Sequence, residues 1–278
     1  MATTTSAVST TTAPDDHRSS TPGSRTRISV ELVPRDAASV AEEARAVAQR
    51  LGRVDTINVP DLLKFDLRSW DACGAVRAAT TRADGTPYRT IPHIRAADVD
   101  PDAPLRMAGA LAEHGVEEVL VVSGDDADYF THHTYPVDAV DVIRRFRAEL
   151  PHLRVYAGLD PYRHGIAQEM RYLERKLSAG ASGVFTQPFF DTSFMRTWAS
   201  LLPADLPVWW GATTVTSPGA IGYWRRRNLV AFPHSFEPTL AWQRDFARRA
   251  IDVAQELGQH IYLMPVRTSV TDYLEGVL

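Results

Sequence analysis

Eight short runs of apolar and β-branched residues recur along the chain, each followed by a stretch whose apolar residues fall three and four apart. The runs are RISVELV (27 to 33), TINV (56 to 59), RTIPHI (89 to 94), EEVLVV (117 to 122), RVYAGL (154 to 159), SGVFTQ (182 to 187), PVWWGA (207 to 212) and HIYLMP (260 to 265). Strands that alternate with helices pair in parallel, joined by crossovers. The helical stretches include AASVAEEARAVAQRLG, PLRMAGALAEHG, PVDAVDVIRRFRAEL and IAQEMRYLERKLSAG, most with glycine just past the last turn. A chain of 278 residues, 44% hydrophobic, has room for two small domains or one barrel of roughly 250 residues. Eight strands within one such segment favour the barrel: an α/β fold, a (β/α)8 TIM barrel forming a single domain over residues 28–278. No GxGxxG follows any strand, which weighs against a doubly wound dinucleotide fold.

Composition excludes several function classes. A net charge of −4 and a pI near 6.1 give no electrostatic footprint for nucleic acid or an anionic membrane. Residues 1–27 are rich in Ser and Thr with almost no large apolar side chain, and read as a disordered tail. No apolar secretory core or membrane-length run occurs, so a soluble, cytoplasmic protein is expected. The single cysteine, Cys73, allows neither an intramolecular disulfide nor a Cys-cluster metal site, and reads as a small buried residue. His132, His133 and His164 lack the carboxylate spacing of a metal site, so none is expected.

In a barrel of this kind the chemistry lies at the C-terminal ends of the strands. The polar residues there are Glu31, Asn58, His93, Ser123-Gly124-Asp125, Asp160, Gln187, Thr213, Thr214 and Arg267. Each alone reads as a loop or capping group; gathered on one rim they would line a single pocket. Of the pair Trp209-Trp210, one ring must face the helices. The run RRRN at 225–228 reads as a grip for a phosphate or polyglutamate tail, or as a solvated helix end.

The segments SVELVP, TIPHI, SGD, YPVDAV, ERKLSAGASGVFTQPFFD and MPVRTS, in this order over residues 28–278, resemble the methylenetetrahydrofolate reductase family. The block KLSAGASGVFTQPFFD carries the most specific part of the likeness. The resemblance implies reduction of 5,10-methylenetetrahydrofolate to 5-methyltetrahydrofolate, with folate and a nicotinamide dinucleotide, NADH or NADPH, as partners. It assigns Gln187 to the pterin and the following aromatics, including Phe189, to the pocket wall. Glu31 becomes the general acid, in a strand environment that would raise its pKa. Asp125 would contact the pterin and influence the hydride donor, and Arg267 suits the carboxylates of the glutamate moiety. Asn58, His93, Gly124, Tyr135, Glu169 and Lys176 fall on the cofactor side.

The family's flavin set is incomplete here. Ser123 replaces the expected arginine, Leu159 an expected tyrosine, and Tyr172 the cation expected one turn after Glu169, while Pro188 replaces the aromatic after Gln187. Two enzymatic versions fit: an FAD relay with weakened affinity, or direct hydride transfer from the nicotinamide, which these losses favour. NADH and NADPH are not separable from these residues. A non-catalytic folate- or nucleotide-binding protein of the same fold is the alternative, and an unrelated barrel aldolase or lyase is the weakest. Residues 60–88, with PDLLKFDLRSWD and TRADGT, depart most from the family and read as a lid or a changed nucleotide site.

Overall fold

The computed structural model describes residues 25–124 and 133–278; the assignments to Asp125, His132 and the first 24 residues lie outside that range. Eight strands close into a parallel barrel in chain order. They are β1 (Ile28–Glu31), β2 (Thr56–Val59), β3 (Arg89–Arg95), β4 (Glu118–Val122), β5 (Arg154–Leu159), β6 (Val184–Pro188), β7 (Val208–Thr213) and β8 (His260–Met264). Around them run α1 (Ala37–Arg50), α2 (Ser69–Ala79), α3 (Ala108–Glu113), α4 (Ala139–Glu149), α5 (Ile166–Ser178), α6 (Thr192–Leu201), α7 (Pro218–Arg227), α8 (Leu240–Glu256) and α9 (Val270–Leu274). All eight expected strands are present, with ends differing by a few residues. The last crossover carries two helices, α7 and α8.

Helix starts follow from side chains that accept orphan backbone N–H groups. Asp36 forms a capping box with Ser39 before α1, and Asp138, Asp191, Ser217, Thr239 and Ser269 cap α4, α6, α7, α8 and α9. Strand alternation then divides two layers. Val30, Ile57, Val119, Val155, Trp210 and Leu263 face the helices in the main core, which also takes in Cys73. Burial pushes the Cys73 thiol up, away from thiolate reactivity.

Ile91, Leu120, Tyr156, Phe185, Trp209 and Tyr262 fill the barrel interior. Trp209 stacks on Phe185 with ring centres 4.8 Å apart, so each tryptophan of the pair serves a different layer. At the N-terminal end the interior is closed by Arg27. It donates to Glu118 at 2.6 and 2.9 Å and to Thr56 at 2.9 Å, and its guanidinium lies 4.7 Å from the centre of the Trp209 ring.

β6 holds one irregularity. Phe185 pairs with Trp209, but Pro188 rather than Gln187 pairs with Gly211. The extra residue makes a bulge, a place that tolerates a proline without a ladder N–H. Thr186 Oγ1 accepts from the Gly211 N–H at 2.8 Å. A Cβ on Gly211 would fall 2.6 Å from the Thr186 carbonyl oxygen, so the bulge needs glycine opposite it. Gly211→Ala is expected to destabilise the fold by about 1–3 kcal/mol, measured by urea denaturation; an unchanged midpoint would show that the bulge relaxes freely.

Candidate functional site

At the C-terminal ends of the strands, alternation turns Glu31, Asn58, His93 and Gln187 inward, one from each of β1, β2, β3 and β6. Glu31 is half-buried. Burial raises its carboxyl to about 7, and the hydrogen bond that its Oε2 accepts from the Tyr262 hydroxyl offsets only part of that rise. The same burial, together with the neighbouring carboxylate, holds the Tyr262 hydroxyl well above its usual range, so it stays a donor. Tyr262 was not singled out from the sequence. The signal was period two in HIYLM, which sends Tyr262 inward with His260 and Met264.

Two buried polar atoms nearby lack partners. Asn58 donates through Nδ2 to Ser29 Oγ at 2.8 Å, leaving its Oδ1 without a hydrogen bond, and His93 Nε2 has none either. Burial drives His93 down to about 3, so the imidazole is neutral near pH 7. Its ring stands edge-on to Tyr262 with centres 6.2 Å apart. Buried polar groups are normally satisfied, and a cluster of open ones facing a barrel mouth fits a polar ligand. Gln187 is exposed at the same end.

Phe189 has a different place from the one expected. It is fully buried in the helix-facing core, packed against Phe194 and Trp210 at 5.4 and 5.5 Å between ring centres. The bulge at Gln187–Pro188 turns the chain outward before this residue, so it supports the rim from behind. Phe190 belongs to an outlying aromatic cluster with Trp224 and Val230.

The cofactor-side residues lie along the strand exits and on α5. Glu169 and Lys176 are both buried, 3.8 Å apart, and their bonds run inward to the protein. Lys176 Nζ donates to the Gly158 carbonyl at 2.7 Å, and Glu169 Oε1 accepts from the Asp160 N–H at 3.1 Å. Desolvation lowers the Lys176 ammonium to about 8, against the opposing pull of Glu169. The Tyr172 ring covers that ammonium at 3.8 Å from its centre, and its side chain makes a polar contact with Ser123. Leu159 is buried in the helix-facing core. Gly124 takes a φ of +93°, and Arg95 packs 3.4 Å from where its Cβ would be. Tyr135 lines a cavity of about 390 Å³ beyond the ends of β3 and β4, with Asp98, Leu105, Arg106 and His133.

Arg267 is exposed and holds a left-handed backbone, φ 57°, unusual for a residue other than glycine. Thr214, on the neighbouring strand's exit, explains how. Its hydroxyl donates to the Val266 carbonyl at 2.8 Å and accepts from the Val266 N–H at 2.7 Å, while Thr213 donates to the Met264 carbonyl at 2.8 Å. Both rim threonines thus pin the chain leaving β8. Among the described residues no cluster of potential metal ligands occurs, and no helix is long and apolar enough to cross a membrane.

These features define a (β/α)8 barrel with a partly desolvated acid inside its C-terminal mouth. The fold is shared with an oxaloacetate acetylhydrolase solved with 3,3-difluorooxalacetate (TM-score 0.54, 12% identity, covering 86% of this chain and 74% of that one). It is shared too with 2,3-dimethylmalate lyase, of the PEP mutase/isocitrate lyase superfamily (TM-score 0.52, 15% identity, covering 87% and 75%). At such identities the likeness concerns the fold alone. The family model for methylenetetrahydrofolate reductase matches residues 20–257, and the chain belongs to that family.

Thr214→Val, which keeps the shape but removes the hydroxyl, is expected to cost about 1–3 kcal/mol by leaving Val266 groups unpaired. Thr214→Ser should retain most of the stability; equal melting curves for valine and serine would remove the clamp.

Proposed function

We propose that the protein reduces 5,10-methylenetetrahydrofolate to 5-methyltetrahydrofolate with hydride taken directly from NADH or NADPH, with Glu31 as the general acid. The observation that carries this reading is the Glu31 carboxyl held near 7 against Tyr262 inside the mouth. The substrate's one-carbon bridge joins N5 and N10. Breaking its bond to N10 leaves an iminium at N5 and requires a proton for N10, which Glu31 supplies. Hydride addition to the iminium carbon then completes the methyl group. A group that only binds folate gains nothing from a desolvated acid, which disfavours the non-catalytic alternative.

The unpaired Asn58 Oδ1 and His93 Nε2 supply polar contacts for the ligands in this mouth. Gln187 and Arg267 are assigned to the pterin and to the glutamate carboxylates; Asp125 keeps its proposed pterin role. The family's flavin fits these residues poorly. Its expected cations are Ser123 and Tyr172, the Tyr172 ring covers Lys176, and Glu169 and Lys176 are engaged within the fold. A pyrophosphate placed there would meet an aromatic ring and one internally bonded ammonium. The nicotinamide donor supplies hydride in the space so freed. Both substrates are soluble, and the cytoplasm is the proposed setting.

Because the acid must carry its proton, kcat is expected to fall above about pH 7. Tyr262→Phe removes the bond that favours the carboxylate, so this limb should move to higher pH. Glu31→Gln should lower kcat by about 10²–10⁴-fold with little change in folate affinity; normal turnover in that variant would remove Glu31 as the acid. The stability consequence has a definite sign. Glu31's folded value lies above its ordinary 4.5, so its contribution is full below about pH 4.5 and is lost as the pH rises through 7.

Added FAD is expected to leave the rate unchanged. A purified protein that is yellow, or a rate that depends on FAD, would overturn the flavin-free reaction.

A further inference from the structure

The segment TRADGT, which departs from the family, lies far from the mouth. It sits in the link between α2 and β3 and helps line a cavity of about 530 Å³ at the N-terminal ends of the strands. The turn is closed by Arg82 N–H donating to the Thr86 carbonyl and Gly85 N–H to the Arg82 carbonyl, both at 2.9 Å. Five arginines line the cavity: Arg25, Arg27, Arg77, Arg82 and Arg89. Against them stand Asp55, Glu117 and Glu118 in the lining and Asp84, which pairs with Arg82, leaving one positive charge in excess on a chain whose net charge is −4.

The pairing is uneven. Arg27 is held by Glu118 at 2.6 Å and by Asp55 at 3.6 Å. Arg89 meets Glu117 only at 4.0 Å, with both side chains more than half exposed. Arg77 spends one nitrogen on the Tyr88 carbonyl at 3.1 Å, and neither it nor Arg25 has a carboxylate partner among the described residues. Arg82 pairs with Asp84 at 3.3 Å and donates to Thr86 Oγ1 at 3.3 Å, so only its Nε is buried without a hydrogen bond. Guanidinium groups pair with oxyanions through two parallel N–H bonds, and their planar forks suit phosphate. Donors from three separate segments around a space of this size exceed what a single phosphate needs.

We propose that this cavity is a binding site for a small anion carrying two or more phosphate groups. It lies at the opposite end of the barrel from Glu31, so it is independent of the catalytic reading. The excess charge draws the anion in, and the guanidinium groups of Arg25, Arg77 and Arg89 take up its oxygens.

The test is titration calorimetry of the full chain with inorganic pyrophosphate and with ATP, at constant ionic strength. Saturable binding with a dissociation constant below about 1 mM is expected. Arg25→Gln combined with Arg89→Gln, both exposed side chains, should weaken it at least tenfold. Arg77→Gln should do so as well, with a melting curve to separate loss of the site from loss of the fold. Arg267→Gln, at the mouth, should leave pyrophosphate binding unchanged. Absence of saturable heat would overturn the site. So would binding that survives the double variant, or binding lost in Arg267→Gln, which would move the anion to the mouth.

Discussion

The hydrogen bond from Tyr262 to Glu31 depends on the barrel closing, and the proposed chemistry depends on that bond. The two residues stand 231 positions apart in the chain. They meet because β1 pairs with β8, placing Ser29 beside Tyr262 and Val30 beside Leu263. A carboxylate turned into the partly desolvated mouth is costly unless neutralised, and one hydroxyl donor is too little to hold it charged. Closure of the sheet therefore creates a carboxyl that keeps its proton near neutral pH. An open sheet would leave the same glutamate in water with an ordinary acidity.

Polar side chains are tied together around Glu118 and left open near Glu31. At the N-terminal end Glu118 is held by Arg27, Arg154 and Tyr156, and its carboxyl stays below the ordinary value despite its burial. At the C-terminal end the polar atoms of Asn58 and His93 are left open. Satisfied networks rigidify, whereas unsatisfied ones await a partner. The lower end thus fixes the geometry of the interior, and Trp209, Phe185 and Tyr262 transmit it upward as a packed column to the acid.

Much of this was legible in the sequence. All eight strands followed from apolar runs, since burial on both faces leaves a continuous signal. Glu31, Asn58 and His93 were legible because period two fixes which side of a strand each occupies. Phe189 was not, because an unrecognised bulge at Gln187–Pro188 changes the direction of the chain by one residue. Glu169 and Lys176, two turns apart on α5, were legible as cofactor-side residues only through the family resemblance, and their burial against Gly158 and Asp160 depends on how α5 meets β5. Thr214 was legible as a rim residue and Tyr262 as an inward one by period two, but their partners, Val266 and Glu31, lie across the β7–β8 and β1–β8 seams, and a local pattern does not encode such pairs.

The account stands most directly on where the new hydrogen of the methyl group comes from. Colourless, dialysed protein is mixed anaerobically with methylenetetrahydrofolate and nicotinamide dinucleotide carrying deuterium at the transferring face of C4, and the product is analysed by mass spectrometry. Direct transfer predicts one deuterium in every methyl group formed, without added flavin. Methyl groups diluted with solvent hydrogen, as expected when hydride pauses on an exchangeable flavin nitrogen, would contradict it, as would the absence of any methyl product.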